Sequence, residues 1–290
     1  MKGILLAGGS GTRLYPATLA VSKQLLPVYN KPMIYYPLSV LMFAGIREIL
    51  VISSPDALPL YRTLLGTGEK WGMRFEYAEQ SAPRGLPEAY IIGRKFLNGE
   101  PSCLALGDNI FYGADLAKVV KSAAVLKQGA FVFAYPVKDP ERYGVIEFDR
   151  NRNVVSLEEK PVKPKSTFAM PGLYFMDGNA PEYAATLKPS KRNELEILDL
   201  CRVYLEKKQL TVHPFGRGTA WLDAGTYEAL LQSSVFIHAV EERQGTMIAC
   251  PEEIAYRMGY LSADQLKALA KTIPLPSYRE YLEHVAAEVH

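Results

Sequence analysis

Cysteine, tryptophan and histidine are scarce in this chain of 290 residues, which has three, two and four of them. The cysteines, Cys103, Cys201 and Cys250, are odd in number, widely spaced and set among apolar residues. That pattern excludes a disulfide scaffold and reads as buried, reduced thiols of a cytoplasmic protein. The histidines, His213, His238, His284 and His290, form no H-E-x-x-H pair, and no G-x-S-x-G elbow occurs. Neither a zinc peptidase nor a serine hydrolase is therefore expected. An excess of one charge is also missing. Thirty-three basic residues stand against 31 acidic ones, for a net charge of +2. Charge alone thus excludes a broad nucleic-acid surface. The longest apolar stretch, 34–46, is too short and interrupted to span a bilayer. The apolar start is cut off by Gly8, Gly9 and Gly11 and carries no signal-cleavage pattern, so no membrane partner is expected. Linkers, repeats and low-complexity tracts are absent, which favours one domain over two.

What is present is an alternation. Near-continuous apolar runs at 3–7, 48–53, 75–79, 102–106 and 130–137 predict strands covered on both faces. Amphipathic stretches at 32–43, 57–65, 86–97 and 116–126 predict helices between them. This is the pattern of βαβ units, and it predicts an α/β fold with a mostly parallel central sheet. Beyond Pro136 the texture changes to short strands at 145–148, 154–158 and 168–176, with helices at 181–187, 194–207 and 226–239. The C-terminal residues are helical. Pro251-Glu252-Glu253 suits a helix start, and Ser262 with Gln265 a capping box. Tyr278, Tyr281, Leu282, Val285 and Val289 form one apolar stripe, expected to pack on the parent domain, with a subunit interface as the alternative.

The strongest local signal is Leu5-Leu-Ala-Gly-Gly-Ser-Gly-Thr-Arg13, directly after the first strand. Glycines let backbone amides approach a ligand and converge on phosphate oxygens. No Lys follows Gly11 as a P-loop needs. Leu14 stands where a dinucleotide fingerprint needs its third glycine, which argues against an NAD-dependent dehydrogenase. Arg13 and Lys23 are the nearby cations suited to a polyphosphate.

Taken in order, Gly8-Gly9-Ser-Gly11-Thr12-Arg13-Leu-Tyr-Pro16, Ser22-Lys23-Gln-Leu-Leu-Pro27 and Lys31-Pro32-Met33 resemble the nucleotidyltransferases that activate sugar 1-phosphates, above all the glucose-1-phosphate thymidylyltransferases. Gly107-Asp108-Asn109, Tyr143-Gly144-Val145, Glu158-Glu159-Lys160-Pro161, Glu194-Leu-Glu196 and Ala220-Trp-Leu-Asp223-Ala-Gly225 extend the resemblance over the whole chain. It implies a Rossmann-like domain over 1–240, with a nucleotide-binding part to about 135, a sugar-binding part over about 136–225 and a C-terminal helical extension over 241–290. It also implies the reaction of dTTP with α-D-glucose 1-phosphate to give dTDP-glucose and pyrophosphate.

The resemblance assigns residues as well. Asp108 and Asp223 are implied ligands of Mg²⁺, the cofactor, with Arg13 and Lys23 as catalytic cations. Leu6, Gly8, Gly9, Gly11, Thr12, Gln80 and Gly85 would join them at the nucleotide, Gln80 at the base edge. Asn109, Gly144, Glu159, Lys160, Met170, Tyr174 and Arg192 would meet the sugar phosphate. Tyr112, Gly113, Arg217, Glu253 and Arg257 match a regulatory site for a downstream nucleotide sugar such as dTDP-rhamnose in a homotetramer. The sequence departs from the usual pattern at Gly85-Leu-Pro87-Glu88-Ala89, where many members have Gly-Leu-Ala-Gln-Ala, and at Pro171, where a β-branched pair commonly precedes the glycine. A UTP-using or amino-sugar-1-phosphate relative, or a non-catalytic sensor of nucleotide sugars, is the alternative.

Overall fold

The computed structural model describes residues 1–9 and 11–288. Ser10 of the glycine loop, Val289 of the terminal stripe and His290 lie outside the described residues. Apolar runs became strands buried on both faces: in Lys2–Leu6 and Glu48–Ser53 every residue but the first is buried. Across the sheet the order is Arg74–Glu79, Glu48–Ser53, Lys2–Leu6, Ser102–Leu106, Leu173–Met176, Ala130–Pro136 and Leu210–Pro214. All of these run the same way except Leu173–Met176. Helices cover both faces, as right-handed crossovers require. Tyr35–Phe43, Leu58–Leu65 and Leu116–Ala123 pack on one side, and Glu88–Leu97, Ala180–Thr186 and Ile197–Glu206 on the other. Tyr35–Phe43 is apolar all round, and Tyr36 to Met42 are buried, as expected of a helix enclosed within a core.

The strand expected over 168–176 is interrupted, and this interruption makes the site. Phe168–Ala169 pairs with Gly144–Phe148, whereas Leu173–Met176 pairs with Ser102–Leu106. Between them the Met170 N–H donates to the Gly144 carbonyl at 2.8 Å, and the Leu106 N–H to the Gly172 carbonyl at 2.9 Å. The sheet forks at Met170–Gly172, and a cleft opens there. Pro171, with no N–H to satisfy, suits the fork.

Other elements differ from expectation. The helix expected from residue 32 begins at Tyr35, because Lys31–Pro32 pairs with Pro27–Val28 in a short hairpin. The helix expected from residue 194 begins at Ile197. Glu194 to Glu196 are held outside it, where the Leu195 N–H donates to the Arg84 carbonyl at 2.8 Å. Strands Asn109–Tyr112 and Ala220–Asp223 carry only four residues each, and Leu210–Pro214 has Thr211, His213 and Pro214 among its apolar positions, so none shows a near-continuous apolar run. The helix expected to end at 239 runs over Tyr227–Gln244.

The C-terminal helices behave as read. Pro251 opens Pro251–Arg257, and Ser262 and Gln265 form both bonds of a capping box. Leu282 and Val285 pack with Cys250 and Leu266. The Tyr278 hydroxyl donates to Glu252 at 2.8 Å, and Glu252 also accepts from Trp71 Nε1 at 3.0 Å. The described part of the stripe therefore packs on the neighbouring C-terminal helices of its own chain, which Glu252 ties to Trp71. All three cysteines are buried and free. Among the described residues no helix is long and apolar enough to cross a membrane.

Candidate active site

The cleft at the fork encloses about 450 Å³, within the usual range for small-molecule sites. One wall is the glycine loop. Gly9 has φ +111° and Gly11 φ +60°, conformations that favour glycine. The buried Gln24 holds the loop: its Nε2 donates to the Gly8 carbonyl at 2.9 Å, while its Oε1 accepts from Ser22 and Tyr61. Sequence reading quoted Gln24 within a motif without giving it this task. Leu6, Gly8, Gly9 and Arg13 line the cleft. Gly11 and Thr12 are not among the residues lining it; Gly11 caps the short 3₁₀ turn Thr12–Leu14.

Two carboxylates meet through a ribbon. Asn109–Tyr112 pairs antiparallel with Ala220–Asp223, and this register sets Asp223 opposite Asn109, next to Asp108. Lys23 donates to Asp108 Oδ2 and Asn109 to Oδ1, the latter at 3.0 Å. Burial alone would raise the Asp108 carboxyl, but Lys23 beside it holds it below the usual range. Asp223 is pushed the other way, by burial and then by the Asp108 charge, with Lys23 and Arg13 opposing. A Cβ on Gly225 would come within 3.0 Å of Asp223 Oδ1 and 3.3 Å of Arg13 Nη2. Glycine there lets the guanidinium lie beside the carboxylate. Lys23 does not line the cleft and reaches it through Asp108.

The donor set fits a hard divalent cation. Two carboxylates repel across a site that a cation would neutralise. No group of three or more His, Cys, Asp or Glu residues is poised for a metal among the described residues. Mg²⁺ suits such a site, because it typically takes one or two carboxylates and completes its shell with phosphates and water.

Asn109 joins the two halves of the cleft. Its Oδ1 accepts from Trp221 Nε1 at 2.7 Å and from the Gly172 N–H at 2.9 Å. Beyond it lie Gly144, Glu159, Lys160, Met170, Tyr174 and Arg192, all lining the same space. A Cβ on Gly144 would come 2.5 Å from Leu198. Glu159 is raised by burial and by the nearby Glu196 charge, with Lys160 and Arg192 opposing. Burial pushes the Tyr174 hydroxyl far up, so it stays protonated as a donor.

Arg192 Nη2 donates to Glu196 at 2.7 Å and to Glu159 at 3.2 Å. Glu196 was hidden by its helical spacing to residues 197–207. Arg142 and Tyr143 also line the cleft, with Arg142 paired to Asp139 at 2.6 Å. No periodic signal marks them; the Tyr143-Gly144-Val145 motif was the available pointer.

Gln80, the residue expected at the base edge, follows Arg74–Glu79 and is 8% exposed. Its Oε1 lies 3.0 Å from where a Gly8 Cβ would stand. Gly85, with φ +105°, passes so close to Leu195 that a Cβ would lie 2.0 Å from the Leu195 carbonyl oxygen. Its glycine requirement is therefore structural as well as ligand-facing.

A second cavity of about 330 Å³ lies near the C-terminal helices, lined by Tyr112, Gly113, Glu253 and Arg257 among others. Arg257 Nε donates to Glu253 at 2.7 Å. Arg217 does not line it and stands exposed between Leu210–Pro214 and Ala220–Asp223.

Known proteins resemble this chain in sequence and fold. The profile of the family described as Nucleotidyl transferase matches residues 2–240. A glucose-1-phosphate thymidylyltransferase of Xanthomonas campestris pv. campestris is 56% identical over 98% of this chain and 97% of its own. One from Mycolicibacterium smegmatis is 50% identical over 97% of this chain and 98% of its own. The crystal structure of a candidate glucose-1-phosphate thymidylyltransferase from Bacillus anthracis, in complex with sucrose, aligns with a TM-score of 0.75 at 38% identity, covering 81% of this chain and 94% of that one. A UDP-glucose pyrophosphorylase complexed with UDP-glucose shares the fold, with a TM-score of 0.71 at 24% identity over 84% of this chain and 99% of that one. A glycine-loop cleft with paired aspartates, in a chain this similar over its whole length, belongs to the nucleotidyl transferase family and, within it, to the glucose-1-phosphate thymidylyltransferases.

Proposed function

We propose that this enzyme transfers a thymidylyl group from dTTP to α-D-glucose 1-phosphate, releasing pyrophosphate and forming dTDP-glucose. The observation that carries the reading is the composition of one continuous cleft. The glycine loop, Arg13 and an aspartate pair line the same space as Glu159, Lys160 and Arg192. A nucleotide and a sugar phosphate meeting head to head need that layout.

The nucleophile needs no strong base, because a phosphate monoester with a second pKa of about 6 is largely dianionic at neutral pH. One of its oxygens attacks the α-phosphorus in line. The new P–O bond forms as the bond to the β-phosphate oxygen breaks, and pyrophosphate leaves. Catalysis is then positioning and charge stabilisation. Arg13 stabilises charge on the α-phosphoryl group and the leaving pyrophosphate, and Lys23 moves between Asp108 and the phosphates. Mg²⁺ bound by Asp108 and Asp223 would screen the triphosphate and orient it. Lys160 and Arg192 neutralise the sugar phosphate, and Glu159 accepts from sugar hydroxyls. Glu159→Ala should raise KM for glucose 1-phosphate by about tenfold or more, the loss of one hydrogen bond to a charged acceptor. KM for dTTP should stay near its wild-type value; the reverse pattern in steady-state kinetics contradicts the assignment.

Pyrophosphate release with dTTP and UTP against glucose 1-phosphate and glucosamine 1-phosphate tests the whole reading. Highest kcat/KM for dTTP with glucose 1-phosphate supports it. A UTP or amino-sugar preference replaces the substrate, and no turnover with any pair replaces catalysis by sensing.

The second cavity supports a regulatory reading, in which a downstream nucleotide sugar such as dTDP-rhamnose binds there in a homotetramer. Arg257→Ala should then weaken that inhibition about tenfold or more, the loss of a charged phosphate contact. Inhibition that is purely competitive with dTTP and insensitive to the substitution contradicts it.

A further inference from the structure

The amide of Gln80 has a fixed orientation, and its cause lies outside the cleft. Gln80 Nε2 donates to Glu88 Oε2 at 2.8 Å and lies 3.5 Å from the Gly85 carbonyl oxygen. Both neighbours are acceptors. A side-chain amide can turn end for end at little cost unless its partners discriminate. Here they do, because reversal would set the amide oxygen against a carboxylate and a carbonyl. Glu88 is only 14% exposed and stands at the start of Glu88–Leu97, with Arg84 at 3.4 Å on its other oxygen. It is not among the residues lining the cleft, whereas Gln80 and Gly8 are. The Gln80 oxygen, beside Gly8, is thus the group left to face a ligand.

We propose that Glu88 is a positioning residue that locks the Gln80 amide with its oxygen towards the nucleotide, so that the cleft selects pyrimidines with an N3–H donor and rejects cytosine. This rests on the reading of Gln80 as the base-facing residue. Thymine and uracil present N3–H to that oxygen. Cytosine presents an acceptor at N3, which would oppose it with neither group satisfied. A glutamine at position 88 could hold the Gln80 amide either way round. In this chain Glu88 removes that freedom.

The test compares kcat/KM for dTTP and dCTP in the wild type, Glu88→Gln and Gln80→Met. In the wild type the lock predicts strong preference for dTTP. In Glu88→Gln that preference should fall about tenfold or more, equivalent to the discrimination of one hydrogen-bond pair. KM for glucose 1-phosphate and the thermal midpoint serve as controls. Where a variant turns over too slowly, calorimetric dissociation constants for dTTP and dCTP read the same preference. Preference unchanged in Glu88→Gln but lost in Gln80→Met overturns the lock and leaves the base reading standing. Preference unchanged in Gln80→Met overturns the base reading and the lock together.

Discussion

Asp108→Asn should lower kcat by about a hundred- to a thousandfold, the range for loss of a group that stabilises transition-state charge, while the protein still folds. The substitution keeps shape and keeps an oxygen for the Asn109 amide, which donates to Asp108 Oδ1 at 3.0 Å. It removes the charge that Lys23 pairs with and that a divalent cation would use. Lys23, only 10% exposed, then loses its anionic partner. A buried cation left without one destabilises the fold, so the melting temperature should fall by several degrees. Asp223 responds too. Its carboxyl is raised by burial and by the Asp108 charge, and removing that charge brings it down. Pyrophosphate release across pH, together with thermal denaturation, measures all three effects. A kcat within about threefold of wild type, less than one hydrogen bond's worth of transition-state binding, removes Asp108 from the proposed cation site.

Arg13→Ala should cost kcat/KM for dTTP about a hundred- to a thousandfold with little change in melting temperature, because the residue is exposed. Arg13→Lys should recover only part of the loss, since an ammonium lacks the planar fork that grips two phosphate oxygens. This variant moves Asp223 in the opposite direction to Asp108→Asn. Arg13 is one of the charges that lower the Asp223 carboxyl, so without it the carboxyl rises further. The ionised form is then lost at a higher pH as the solution is acidified. The acid limb of the pH–rate profile should therefore move up in Arg13→Ala. Retained kcat/KM with an unmoved acid limb contradicts both roles.

Legibility of the fold followed residue pattern. Runs such as 48–53 and 102–106 are apolar except at their ends, and they are strands with those bounds. The four-residue segments Asn109–Tyr112 and Ala220–Asp223 have no such pattern, and their pairing is a tertiary event. The motif around them named Asp108 and Asp223, while the ribbon that brings them together was invisible. Glu196 was concealed by a helix that fits its spacing but starts one residue later. Arg142 lies in a short 3₁₀ turn with no periodic signature. Glu88 stands out in the sequence only as part of a departure from the usual pattern. Its bond to Gln80 depends on how a strand end and a helix start face each other, and local pattern does not encode that. Pro171 has its reason at the fork in the sheet, a place defined only by which strands diverge there.

The ribbon also governs when the site can exist. Trp221 bonds Asn109 across 112 positions of chain, and Asp223 arrives on the same strand. Closing so long a loop costs entropy that only the completed contacts repay. A nascent chain that has emerged only to residue 200 carries the glycine loop, Lys23 and Asp108 but lacks Asp223 and Gly225. The part of the cleft that carries both aspartates is therefore assembled from the beginning and the far part of the polypeptide together. Synthesis must pass the ribbon's second strand before both aspartates can face a nucleotide.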